Sequence, residues 1–220
     1  MPALNKIRAV FSKTGRAKYI SHLDLNRCMQ RAFKRSGLPV WYTEGFNPHI
    51  YITFALPLSL GYESGCEIMD FSLTEEVPEE KILSALNAAV PDGLSILKVY
   101  TPETKHTDIA FSEYEIVFSG EPESVAKSFH HFMESDRISV MKKTKRGGVK
   151  EIDLKPDTEV LSLGIKNGSF TAVLRLPAGN EKNINPSLLT DAFIGQTNVG
   201  AEVESVRRTG ILSSSGEDFF

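Results

Sequence analysis

Between Lys6 and Tyr100 the spacing of apolar residues switches from a period of two to a period of three to four and back, twice. Ile7, Ala9 and Phe11 alternate with other residues within Lys6–Ser12, as one face of a strand does. Leu25, Met29, Ala32 and Phe33 follow at i, i+4, i+7 and i+8, which is one stripe of a helix over Ser21–Gly37. Ser21 is a favourable N-cap with Asp24 three residues on, Gly37 is a stop at C′, and Pro39 cannot continue the helix. Val40–Pro48 reads as a loop. Strands are expected at Ile50–Ala55, Glu67–Leu73 and Leu94–Tyr100, with a helix over Pro78–Val90 whose Ile82, Leu83, Leu86 and Ala89 share a side. The order β-α-β-β-α-β is that of the split βαβ, or ferredoxin-like, unit.

The second half predicts the same order with one hairpin more. A strand over Tyr114–Ser119 precedes a helix over Pro122–Ser135 with Val125, Phe129 and Phe132 inward. Ile138–Lys143 and Val149–Leu154 flank Arg146-Gly147-Gly148, and Val160–Lys166 and Ser169–Leu176 flank Asn167-Gly168, a strong hairpin signal. A short helix over Pro186–Ile194 and a strand over Val203–Arg208 close it. The expected fold class is therefore α+β, with two ferredoxin-like (βαββαβ-type) units in tandem at 1–104 and 105–212. Thr101–Phe111 is the natural linker, and residues 213–220 read as a flexible tail.

Composition narrows the function classes. With 41% hydrophobic and 24% charged residues, the chain can bury a core. It carries no apolar run near the roughly 20 residues that span a bilayer and no signal-peptide pattern at its start, so a cytoplasmic protein without a membrane partner is expected. Cys28 and Cys66 form no CxxC pair, and no CxxxCxxC cluster motif is present. No cofactor and no metal are assigned. The net charge of −3 hides a sided distribution: +7 over 1–46, −12 over 47–136, +5 over 137–155 and −3 beyond. A basic face can bind phosphate, although a solvated surface explains the same pattern.

Four groups of residues could carry chemistry. Tyr19, Ser21, His22 and Asp24 combine a phenol, a hydroxyl, an imidazole and a carboxylate at a helix start, with His49 supplied from a second segment. The plainer reading makes Ser21 and Asp24 a helix cap; His22 and Asp24, two apart, diverge on a helix and make a poor metal pair. Asn47, Pro48 and His49 form a dense turn before a strand. If the Val40–Pro48 loop folds back over the helix start, His22 and His49 converge beside Arg16, Lys18 and Tyr19 in a cleft suited to an anion. Lys13, Arg27, Arg31, Lys34 and Arg35 with Trp41 form a basic and aromatic set of the kind that binds nucleic acid, or else solvated charge beside core aromatics. Lys142, Lys143, Lys145, Arg146 and Lys150 surround the Gly-Gly hairpin, where lysines often only protect an edge.

Two of these segments, GRAKYISHLD at Gly15–Asp24 and GFNPHIYITFALPLSLG at Gly45–Gly61, are similar to the motifs of the radical-SAM-associated protein family DUF2344. The resemblance runs through nearly the whole chain to VRRTGIL at Val206–Leu212. Where that family commonly has a proline after NPH, this chain has Ile50. The resemblance implies an accessory or substrate-binding partner of a radical SAM enzyme, more a binding protein than a catalyst. The residues it marks are Arg16, Lys18, Tyr19, Ser21, His22, Asp24, Asn47 and His49. The competing expectation is an RNA-binding or RNA-processing protein that uses the basic face and His22 and His49; a similar layout occurs in CRISPR-associated RNA endonucleases, an analogy of fold alone.

Overall fold

The computed structural model describes residues 4–143 and 147–220. It is an α+β protein with four α-helices and ten strands among these residues, and it divides into two compact units, 1–108 with Phe220 and 109–219. The division falls four residues beyond the expected 104, because a 3-10 turn at His106–Asp108 still belongs to the first unit.

The first unit runs β1 (Asn5–Lys13), α1 (His22–Ser36), β2 (Ile52–Phe54), β3 (Glu63–Leu73), α2 (Glu79–Asn87) and β4 (Leu94–Tyr100). Its strands lie in the order β4-β1-β3-β2, each neighbouring pair antiparallel. The period-two pattern of β1 sends Ile7, Ala9 and Phe11 to one face, where they meet Leu25, Met29 and Phe33 of α1 and Ile82 and Leu86 of α2. Met69, Phe71 and Leu73 of β3 complete that core. Arg8 and Val10 therefore face away from the helices. At about 25 cal/mol per Å² of apolar area removed from water, burying this helix-side layer is the main term holding the unit together. Gly93 closes it: its φ is +86°, and a Cβ there would stand 2.6 Å from the Thr14 carbonyl oxygen, so only glycine lets the two loops approach.

The second unit runs β5 (Ile109–Phe118), α3 (Pro122–Glu134), β6 (Ser139–Lys143), β7 (Val149–Asp153), β8 (Glu159–Lys166), β9 (Ser169–Pro177), α4 (Pro186–Thr197) and β10 (Val203–Ser213). The order β10-β5-β9-β8 is antiparallel throughout, and among the described residues β6 pairs only with β7, in a separate two-stranded sheet. The β8–β9 connection is the expected Asn167-Gly168 turn, with φ of 51° and 80° at the two residues. Phe118, Phe129, Phe170 and Phe193 fill the helix side, with ring centroids 5.0–5.9 Å apart. Residues 213–220 depart from the expected loose tail. The Phe219 N–H donates to the Ile211 carbonyl at 2.9 Å, Ser213 N–H to Glu217 O at 2.9 Å, and the Phe219 ring is buried. A phenylalanine that can bury its ring gains more than the ordering of a short turn costs.

Candidate functional site

The α1 start is built as its sequence suggests. Ser21 is extended (φ −67°, ψ 163°); its hydroxyl accepts the Asp24 N–H at 3.1 Å and donates to Asp24 Oδ2 at 2.7 Å. Asp24 also takes the Arg27 guanidinium at 3.1 Å, and the Ser21 hydroxyl and then Arg27 hold its carboxyl below the usual range. Before the cap, Gly15–Tyr19 forms a 3-10 turn tied to β3: Gly15 N–H donates to Glu63 Oε1 at 3.0 Å, and Lys18 Nζ lies 3.8 Å from the same oxygen. Lys18 Nζ also stands 5.3 Å from the centroid of the Tyr19 ring, and its carbonyl accepts the Gly61 N–H. Tyr19, Leu23 and Leu60 are all more than 60% exposed around this turn. Arg16 is exposed, and His22, also exposed, sets its ring edge-on to Phe54 of β2 at 5.2 Å.

The second motif forms a closed hairpin. Val40 bridges to Leu73 and Tyr42 to Ile50, while Thr43 N–H donates to the His49 carbonyl at 2.8 Å. The His49 N–H donates to Thr43 Oγ1, and His49 Nδ1 lies 3.1 Å from that hydroxyl and 3.0 Å from the Asn47 carbonyl oxygen. A carbonyl only accepts, so in the neutral ring the proton sits on Nδ1 and Nε2 keeps the lone pair. Asn47 thus serves through its main chain. At the tip Phe46 is fully exposed.

The two histidines do not share a cleft. Gln30 of α1 grips the main chain of Ile50 in both directions, donating to its carbonyl at 2.7 Å and accepting its N–H at 3.2 Å. His49 is therefore moored at Gln30, and His22 at Phe54. Eight helical residues separate the anchors on α1, about 12 Å at 1.5 Å per residue. Four extended residues separate Ile50 from Phe54, about 13 Å at 3.3 Å per residue. The two measures agree: the loop lies beside the middle of α1 and not over its start, because Gln30 holds it there.

The basic and aromatic set also divides. Lys13 is buried, 2% exposed, with Nζ donating to the Lys18 carbonyl at 3.3 Å, and is thus no surface contact. Arg35 reaches sideways to the Ala89 carbonyl at 2.6 Å. Arg27, Arg31 and Lys34 lie on the side of α1 opposite Leu25, Met29 and Phe33, and all three are exposed. Trp41 packs edge-on to Tyr51 at 5.6 Å, on the sheet face away from α1; Tyr42, paired with Ile50, is on the α1 side. In the second unit, Lys142 Nζ donates to the Asn183 carbonyl at 2.7 Å and Lys150 is exposed. Lys145 and Arg146 fall outside the described residues.

A buried polar cluster went unforeseen. On the face of β1 away from the helices, Arg8 is 1% exposed and sends Nε and Nη2 to the two Asp70 oxygens at 2.7 and 2.9 Å. Nη1 and Nη2 also donate to Thr104 Oγ1 and O, and His106 Nε2 lies 2.8 Å from Asp70 Oδ2. The segment after β4 thus crosses β1 and reaches β3 as a strap. Burial pushes the Asp70 carboxyl upward, but the Arg8 hydrogen bonds and the close approach of the His106 ring outweigh it and leave the group below its ordinary value. Burial raises the Tyr100 phenol, against the opposing pull of Arg8. Asp70 and Tyr100 are each a direct cross-strand partner of Arg8, which only the strand register reveals.

The sequence profile described as uncharacterized protein conserved in bacteria (DUF2344) matches residues 6–186, most of both units. The chain belongs to the DUF2344 family. Among curated proteins, none matches it. Of solved structures, this DUF2344 protein is similar to a chain of a Cbf5-Nop10-Gar1 complex, at 10% identity and a TM-score of 0.46, over 92% of its own length and 48% of the other's. It therefore spans about half of that chain. A second, an unknown protein from Galdieria sulphuraria, matches at 13% identity and a TM-score of 0.27, over 94% and 99%. Among the described residues no helix is long and apolar enough to cross a membrane.

Proposed function

We propose that this DUF2344 protein is a non-catalytic accessory module that binds a radical SAM enzyme through the surface formed by its two motifs. The frame, in this reading, is a tandem of two ferredoxin-like units. Supporting it, both units repeat one strand order, β4-β1-β3-β2 and β10-β5-β9-β8, and the second carries β6–β7 as its additional hairpin. The radical SAM association rests on the resemblance carried by GRAKYISHLD and GFNPHIYITFALPLSLG.

The observation that favours binding over chemistry is Phe46. A phenylalanine wholly in water gains nothing for the fold, yet the loop beneath it is fastened at Thr43, Asn47, His49 and Gln30. A rigidly presented, exposed ring is what a docking anchor requires, since little ordering is left to be lost on binding. Tyr19, Leu23 and Leu60 offer further apolar contact at the helix start.

The test is co-purification of the tagged chain with a radical SAM protein from the same organism. A stable complex is expected with the wild type and its loss with Phe46→Asp, the variant melting as the wild type does. Failure of the wild type to form a complex, or an undiminished complex with Phe46→Asp, overturns the proposal.

A further inference from the structure

The outward ridge of α1 is not needed for the fold and is not explained by the docking of Phe46. Arg27, Arg31 and Lys34 follow one another at four and three residues, which stacks their side chains along one line about 10 Å long. Arg31 and Lys34 have neither a hydrogen-bond nor an ion-pair partner among the described residues, and Arg27 shares only the exposed Asp24 at the N-terminal end of the line. Over residues 1–46 there are nine basic side chains against Asp24 and Glu44. Unpaired like charges three and four residues apart repel one another on an isolated helix. A polyanion laid along them would remove that repulsion.

The side of the ridge that faces the hairpin is defined by Gln30, which carries the Ile50 main chain. Tyr42, the bridge partner of Ile50, lies on this α1 side and is 41% exposed; Phe46 projects from the same hairpin. A line of cations beside exposed rings matches a strand of phosphates with unstacked bases better than an acidic peptide, which has nothing to stack. We propose that the α1 ridge of Arg27, Arg31 and Lys34, with Tyr42 at its flank, binds single-stranded nucleic acid. Phosphates run along the ridge, and a base stacks on Tyr42. The inference is independent of the radical SAM reading, since it concerns the purified chain alone.

Fluorescence anisotropy with labelled twelve-residue oligouridylate and oligothymidylate tests it. Binding in the micromolar range at low salt is expected for at least one of the two, and the RNA-to-DNA ratio identifies the natural source. Arg31→Gln with Lys34→Gln should weaken binding at least tenfold. It should also flatten the slope of log K against log salt by about 1.4, at roughly 0.7 per phosphate contact on a single strand. Tyr42→Ala should weaken binding about fivefold or more with the salt slope unchanged, since stacking releases no counterions. Both changes lie at exposed positions, so the variants should melt as the wild type does. No binding of either oligonucleotide, an unchanged salt slope in the double variant, or equal competition by a twelve-residue polyglutamate would overturn the proposal, the last in favour of an acidic protein partner.

Discussion

Asp70→Asn tests the buried strap most sharply. Arg8 is 1% exposed and Asp70 about a quarter exposed, and two charge-assisted bonds of 2.7 and 2.9 Å join them. Removing one member of a buried pair costs about 3–5 kcal/mol, because the other is left as a desolvated charge. Asn retains one acceptor oxygen and Asp70 keeps some access to water, so a loss near 3 kcal/mol is expected, at the lower end of that range. Arg8→Met with Asp70→Leu should cost less than Asp70→Asn alone, since an apolar pair leaves no orphaned charge. The pH dependence has a defined sign. Asp70 titrates lower in the folded protein than in the unfolded chain, where an aspartate has a pKa of about 3.9. Its contribution is therefore full above that value and is lost as the pH falls through the folded pKa. The gap between wild type and Asp70→Asn should close on acidification below about pH 4. Trp41 is the only tryptophan and lies in the first unit, so its fluorescence during urea unfolding reports the relevant transition. A loss under 1 kcal/mol at pH 7, or a double variant worse than the single, would refute the reasoning.

Ser21→Ala removes the α1 cap and should lower stability by about 1 kcal/mol in denaturant melts. Gln30→Ala strips both main-chain partners from buried Ile50 and should cost about 1–3 kcal/mol, with faster amide exchange across the Thr43–His49 loop. Gly93→Ala should destabilise more than Gly168→Ala in thermal melts: both positions have positive φ, but only at Gly93 does the added Cβ meet backbone, at 2.6 Å. His22→Ala and His49→Ala, both at exposed sites, should each leave stability within about 1 kcal/mol. Their anchor points lie about 12 Å apart along α1, so the two changes should act additively on partner binding, which a double-mutant cycle measures.

Local signals carried much of the fold. Ser21, Gly37 and the Leu25–Phe33 stripe predict α1 because capping and helical period are properties of neighbouring residues. Asn167-Gly168 predicts its turn for the same reason. Boundaries shifted where local character misleads. β3 begins at Glu63 instead of Glu67, since Ser64 is buried without looking like a core residue, and β5 begins at Ile109 inside what reads as a polar linker. At the site, the motif residues were legible but their mutual placement was not. One glutamine decides where the His49 loop rests, and nothing in the spacing of His22 and His49 encodes that. Arg8 and Asp70 lie 62 residues apart and become partners only through strand register. Burial of Lys13 has the same origin, a strand end that reads as a basic loop.

Hydrogen–deuterium exchange on the chain alone and saturated with a purified radical SAM protein addresses the central claim directly. Protection is expected at residues 15–24 and 43–51, the two motif surfaces, and it should vanish with Phe46→Asp. Protection confined to other segments, or no change anywhere at saturating partner, would contradict the account.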